Sequence, residues 1–124
     1  MEMTTEEVDN YLKDESRIII KLPVFINNEF AADKISGVID DLTKTISESE
    51  IDVIVSSPPV LAHTRVDSGK YSKAKLCAVL IDKLHHDIMP YTLIIISVPK
   101  AAKEALKEIC QKHGVFEVVK GVLE

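Results

Sequence analysis

The sequence predicts a single α/β domain. The expected form is a Rossmann-like three-layer sandwich of about four mainly parallel strands with helices on both faces. Three observations predict it. Short β-branched apolar runs alternate with segments of helical period, the pattern of strands joined by right-handed crossovers. Residues 17–25 and 91–96 are almost unbroken in apolar side chains, as strands covered on both faces require. A chain of 124 residues, 46% of them hydrophobic, is large enough for one core without disulfide staples. The alternative is a ferredoxin-like α+β arrangement, which follows if residues 76–81 form a strand.

Thr4 and Glu7 have capping-box spacing and open a short helix reaching Leu12 or Lys13, with Val8, Tyr11 and Leu12 on its apolar side. Residues 17–25 are the first strand. Asn27 or Asn28 caps the next helix, in which Ile35, Val38, Ile39, Leu42 and Ile46 recur at three and four. Gly37 inside that helix costs about 1 kcal/mol relative to alanine, and close packing on the sheet is the expected reason. Residues 51–56 are the second strand. Residues 73–88 read as a helix, with Cys77, Leu80, Ile81, Leu84 and Ile88 on one face, Ser72 at the cap and Pro90 beyond the end. Residues 91–96 are the third strand. Ser97 then caps a helix with Pro99 in its first turn and Ala102, Leu106, Ile109 and Cys110 on its apolar face. Gly114 stops that helix, and residues 115–119 make a fourth strand.

The formal net charge of −5 argues against a general binder of nucleic acid or membrane surfaces, so RNA binding ranks last among the readings. No apolar run reaches membrane-spanning length, and the acidic N-terminus lacks the order of a signal peptide. Cys77 and Cys110 follow no framework spacing and are expected to be free, buried thiols. These features together point to the cytoplasm.

Residues 56–72 fit neither pattern, and a connection of this length without structure usually belongs to function or disorder. The stretch is basic in an acidic chain: Arg65, Lys70, Lys73 and Lys75 stand against Asp67 alone between residues 63 and 75. It is expected to leave the carboxyl end of the second strand, where open α/β sheets bind ligands, and to enter a helix N-terminus, which favours anions. The expected ligand is therefore a phosphorylated or carboxylated small molecule. Arg65, one of only two arginines, supplies a planar fork, Ser68, Gly69 and Ser72 supply hydroxyl and amide donors, and Lys70 supplies charge. His63 is the acid–base candidate if the ligand is transformed. The segment is not a Walker loop, because it lacks the upstream glycine and the Lys-Ser/Thr adjacency.

Asp52 to Pro59 resembles, over eight residues, the catalytic strand end of amino-methyltransferases, but Val60 replaces the aromatic that would stack on the target base, which excludes that activity. His85, His86 and Asp87 are adjacent on a helix and so cannot all face one metal ion. Cys110 and His113 offer a weak pair, with Cys110 assigned to the core. Glu29 and Asp33 are ordinary residues around a helix start. No cofactor is indicated. A second reading is an assembly module without chemistry, forming a two-fold homodimer through the edge strand at 115–119.

Overall fold

The computed structural model describes residues 2–57, 62–66, 73, 75 and 92–124. Its strands are β1 (Glu2–Met3), β2 (Arg17–Pro23), β3 (Phe25–Ile26), β4 (Glu29–Phe30), β5 (Asp52–Ser57), β6 (Ala62–Arg65) and β7 (Leu93–Pro99). Its helices are α1 (Thr5–Leu12), α2 (Ala32–Thr45), α3 (Lys103–Lys112) and α4 (Phe116–Leu123), with one-turn helices at Glu48–Glu50 and Lys100–Ala102.

Among the described residues five strands form one sheet in the order β1-β6-β5-β7-β2, and every neighbouring pair is antiparallel. This overturns the mainly parallel three-layer sandwich. The physical reason is that an unbroken apolar run reports burial on both faces and says nothing of strand direction. One face buries Ile20, Leu22, Val53, Val55, Ile94, Ile96 and Val98 beneath α2, α3 and α4. On the other, Ile54 and Ile95 pack with Val8 of α1, flanked by Met3, Tyr11, Leu12 and Ile19. Two faces are thus covered, as the apolar runs require, within an antiparallel sheet. β2 and β5 do run parallel, but both pair with β7, which lies between them, so β2-α2-β5 is a split crossover. Residues 76–81, on which the ferredoxin-like alternative turned, lie outside the described residues. So does most of the helix expected at 73–88; Lys73 and Lys75 are helical.

The first helix is as expected: Thr4 Oγ1 accepts from Glu7 N–H and Glu7 Oε1 accepts from Thr4 N–H, completing the capping box. Asn27 and Asn28 are not helix caps. Both hold positive φ (53° and 65°) and form the two-residue turn of the β3–β4 hairpin, in which Phe25 lies opposite Phe30. Two consecutive left-handed residues are what such a turn demands, and asparagine tolerates them best after glycine. Ser97 is likewise no cap. It is buried in β7, which runs on to Pro99, and α3 begins only after the turn Lys100–Ala102.

α3 ends at a left-handed Gly114 (φ +73°), as expected, with Val115 N–H reaching Cys110 O (3.0 Å) and Gly114 N–H reaching Gln111 O (3.2 Å). These paired bonds reverse the chain into α4. The strand expected at 115–119 is therefore helix. Val115, Val119 and Leu123 recur at four and are buried, and this packing outweighs the weak β preference of valine. Among the described residues no helix is long and apolar enough to cross a membrane.

Candidate functional site

The stretch expected to be structureless contains a strand. Residues 62–65 pair with β5 from Ile54↔Arg65 to Ser57↔Ala62, so β5 and β6 form a hairpin. Because β6 runs back along β5, the connection that follows Arg65 stands at the amino end of β5. This corrects the expected placement at a carboxyl strand end.

Both ends of that connection are fixed to the segment from Glu48 to Val53. Val66 is buried, and its N–H donates to Val53 O at 2.8 Å. Arg65 Nη2 donates to Asp52 Oδ1 at 2.7 Å. At the far end, Lys73 is buried: its N–H reaches Glu48 Oε1 at 3.2 Å, and its Nζ donates to Glu48 O at 3.1 Å and to Ile51 O. A buried ammonium needs such partners, and the carbonyls of Glu48 and Ile51 at the one-turn helix Glu48–Glu50 supply them, Glu48 O also accepting from Ile51 N–H at 3.1 Å. Ser68, Gly69, Lys70 and Ser72 fall between the two anchors and lie outside the described residues, as do Pro58 and Pro59.

At the root of the connection, the chain's two arginines converge on one carboxylate. Asp52 Oδ1 accepts from Arg65, Oδ2 accepts from Tyr11 Oη at 2.5 Å, and Arg17 Nη2 stands 3.5 Å from Oδ2. Arg17 also donates through Nε to Ser97 Oγ (2.9 Å) and through Nη2 to Ser97 O (2.9 Å) and Glu50 O (2.7 Å). The strand period explains the gathering. Asp52 lies opposite Ser97, and Arg17 and Arg65 occupy positions of the same parity on the flanking strands, so all four share the α1 face. Tyr11 comes down on them from α1.

Burial pushes the Asp52 carboxyl up, but the hydrogen bonds from Tyr11 and Arg65 and the charges of Arg65 and Arg17 outweigh it, and the net shift is downward. The Tyr11 phenol moves the other way, pushed up to about 12 by burial and by its bond to Asp52. At neutral pH the network therefore holds a carboxylate, a neutral phenol that donates, and two guanidiniums. Arg17 is mostly covered (side chain 17% exposed), whereas the Arg65 side chain is 36% exposed.

Of the sequence candidates, Arg65 is placed in this network. His63 is not in a loop: its backbone sits inside β6, opposite Ser56 on one side and Met3 on the other. Cys110 is free and buried in the core, which pushes its thiol up to about 11. His113 instead meets Asp41, Nε2 to Oδ2 at 2.7 Å, with Lys112 Nζ on the same oxygen at 3.0 Å. Glu29 belongs to the β3–β4 hairpin and Asp33 to the first turn of α2. Among the described residues no group of three or more His, Cys, Asp or Glu side chains could hold a metal ion. His85, His86, Asp87 and Cys77 lie outside them.

Sequence reasoning missed Asp52, Arg17, Tyr11 and Ser97 as a unit. A signal was present: Asp52 interrupts an apolar strand, and a carboxylate there needs a cationic partner. No family model matches the chain, and neither a curated protein nor a solved structure proved similar to it.

Proposed function

We propose that the protein binds a small phosphorylated or carboxylated molecule at the connection between Arg65 and Lys73. The observation that carries this reading is the convergence of two guanidiniums on the single carboxylate of Asp52, which orients the Arg65 fork at the point where the basic connection begins. The position supports it too. Arg65 stands where the basic connection begins, and Lys73 brings its far end back to the same strand start. In this reading Arg65 grips the anion, Ser68, Gly69 and Ser72 add hydroxyl and amide donors, and Lys70 adds charge. His63, two residues before Arg65, is the acid–base candidate.

A thermal-shift screen of inorganic phosphate, nucleotides and dicarboxylates tests it. Arg65→Lys keeps a cation beside Asp52 but loses the fork, and Lys70→Ala removes a point charge from the connection itself. Charged hydrogen bonds are worth about 1.5–3 kcal/mol, so Arg65→Lys is expected to weaken binding roughly ten- to a hundred-fold, and Lys70→Ala less. No stabilising anion for the wild type, or one acting equally on all three proteins, removes the reading.

A second reading, an assembly module, is favoured by a different observation. Among the described residues β2 is a seven-residue edge strand, and beside it α4 exposes Val118 and Val122. A strand edge next to exposed valines is a surface for another chain. A variant that loses self-association or partner capture on Val118→Glu while keeping its thermal stability supports this reading; unchanged behaviour opposes it.

A further inference from the structure

We propose, on the basis of the assembly reading, that the occupant of the β2 edge is a second copy of this chain, joined antiparallel about a two-fold axis at Ile20. The hydrogen-bond parity of β2 carries the argument. At its two ends the ladder with β7 continues in Lys100 N–H to Ser16 O (3.2 Å) and Val24 N–H to Thr92 O (3.1 Å), both on even-numbered residues of the β2 side. Bonded pairs alternate in an antiparallel ladder, so Ile18, Ile20 and Leu22 turn their main-chain groups to Val98, Ile96 and Ile94. Arg17, Ile19, Lys21 and Pro23 turn theirs outward. Arg17 agrees: its N–H goes to Asp14 O at 3.3 Å, away from β7.

Among the described residues nothing pairs with this outer edge, which therefore offers N–H groups at Ile19 and Lys21 and none at Pro23 or Arg17. Pairing two copies about Ile20 sets Ile19 opposite Lys21 of the second copy. Each such pair exchanges two main-chain bonds, and the symmetry supplies the pair twice. The same register sets Arg17 opposite Pro23, so the two positions without a free N–H face each other and no donor is stranded. It also keeps Lys21 from facing Lys21, which a two-fold at Lys21 would impose, and from facing Arg17, which a two-fold at Ile19 would impose. The edge is self-complementary in this register.

The helix layer fits the same operator. α3 touches both α2 and α4, and α4 lies over β2, so α4 is the helix at this edge. Phe116 points toward α3, where Lys107 Nζ lies 5.9 Å from its ring centre. Val118 and Val122 are on the opposite flank by helical geometry, 42% and 46% exposed, and so overhang the open edge. Pairing β2 with its copy brings the two α4 flanks together and covers these valines, which a lone extended peptide would leave largely bare.

Sedimentation and amide exchange on the full chain test this. The wild type is expected at twice its 13.8 kDa mass, with the Ile19 and Lys21 amides protected. Lys21→Pro removes an outward N–H that the β2–β7 ladder does not use, and Val118→Glu charges an exposed position, so both are expected to be folded monomers with those amides unprotected. A dimer whose Ile19 and Lys21 amides exchange freely, or one that survives both substitutions, overturns this interface while the assembly reading stands. A wild-type monomer at high micromolar concentration overturns the second copy as occupant. If that monomer also captures no extended peptide at β2, the assembly reading falls with it.

Discussion

The imidazole of His113 lies against Gly37: a Cβ built at Gly37 would stand 2.6 Å from His113 Cε1 and 2.8 Å from Nδ1. The sheet is not what excludes a side chain there, as the sequence had implied; the C-cap residue of α3 is. The ring has little room to retreat, because its Nε2 is held 2.7 Å from Asp41 Oδ2. Gly37→Ala is therefore expected to destabilise by about 1–3 kcal/mol, overpacking outweighing the helix propensity gained. Paired with His113→Ala the sign reverses: with the ring gone, alanine at 37 stabilises by about 1 kcal/mol relative to His113→Ala alone. Chemical denaturation of the four proteins forms the cycle, and additive effects would rule out the contact.

Two other glycines should respond oppositely. Gly114 holds φ +73° at the turn from α3 into α4, with nothing within 4 Å of a built Cβ, so the cost of a side chain there is conformational alone. Gly114→Ala is expected to cost about 1–2 kcal/mol. Gly121 also has open space but is helical and ordinary in φ, so Gly121→Ala should stabilise the protomer by up to about 1 kcal/mol. Equal effects at the two sites, read from urea midpoints, would contradict the backbone assignment.

The Asp52 network makes stability depend on acid. Its carboxyl binds its proton less tightly folded than unfolded, so the network's contribution is complete above the unfolded value near 3.9 and is lost as pH falls through the folded one. Asp14, lowered by Ser16, and Asp41, lowered by His113 and Lys112, act in the same direction, so only a comparison with a variant isolates Asp52. Asp52→Asn is expected to cost about 2–3 kcal/mol at neutral pH, somewhat under the penalty for breaking a fully buried pair. The gap from wild type should close as the pH drops below about 4. A gap that stays constant into acid would show that Asp52 is not the titrating group.

Much of the fold was legible because hydrophobic period reports burial. Ile94 to Ile96 announced a central strand, Thr4 and Glu7 a capped helix, Gly114 a helix end, and Cys110 a core position. What period cannot report is strand direction. That depended on β6, whose Ala-His-Thr-Arg has no apolar alternation to betray it and which joins the sheet through its backbone ladders with β5 and β1. The same limit hid which main-chain groups of β2 face away from its neighbour, since the outward parity of Ile19 and Lys21 appears only once β7 is placed. Residues 115–119 misled for a related reason: valines suit strands, and only the repeat of Val115, Val119 and Leu123 against the sheet makes them helical. The candidate site was half legible. Arg65 stood out as a rare arginine, but its partner Asp52 precedes it by 13 residues and Arg17 by 48, distances that tertiary structure alone brings together.

Tyr11 ties α1 to this network, and its phenol reports on the tie directly. Its hydroxyl donates to Asp52 Oδ2 at 2.5 Å, and burial together with that carboxylate pushes its ionisation up to about 12. The chain has three tyrosines, so a spectrophotometric titration should show a late-ionising phenol that Tyr11→Phe abolishes. Tyr11→Phe keeps the ring on the sheet and removes only the charge-assisted bond, so its expected cost is about 1.5–3 kcal/mol. Much of that cost should vanish in Asp52→Asn, because the acceptor is no longer ionised. The Tyr11–Asp52 cycle is thus expected to be non-additive by roughly 1 kcal/mol or more. In Asp52→Asn the phenol should also ionise earlier, since the carboxylate's charge no longer opposes a second anion beside it. If Tyr11 ionises at the same pH with and without Asp52, burial alone sets its value, and the hydrogen bond has no energetic weight in fixing α1 to the sheet.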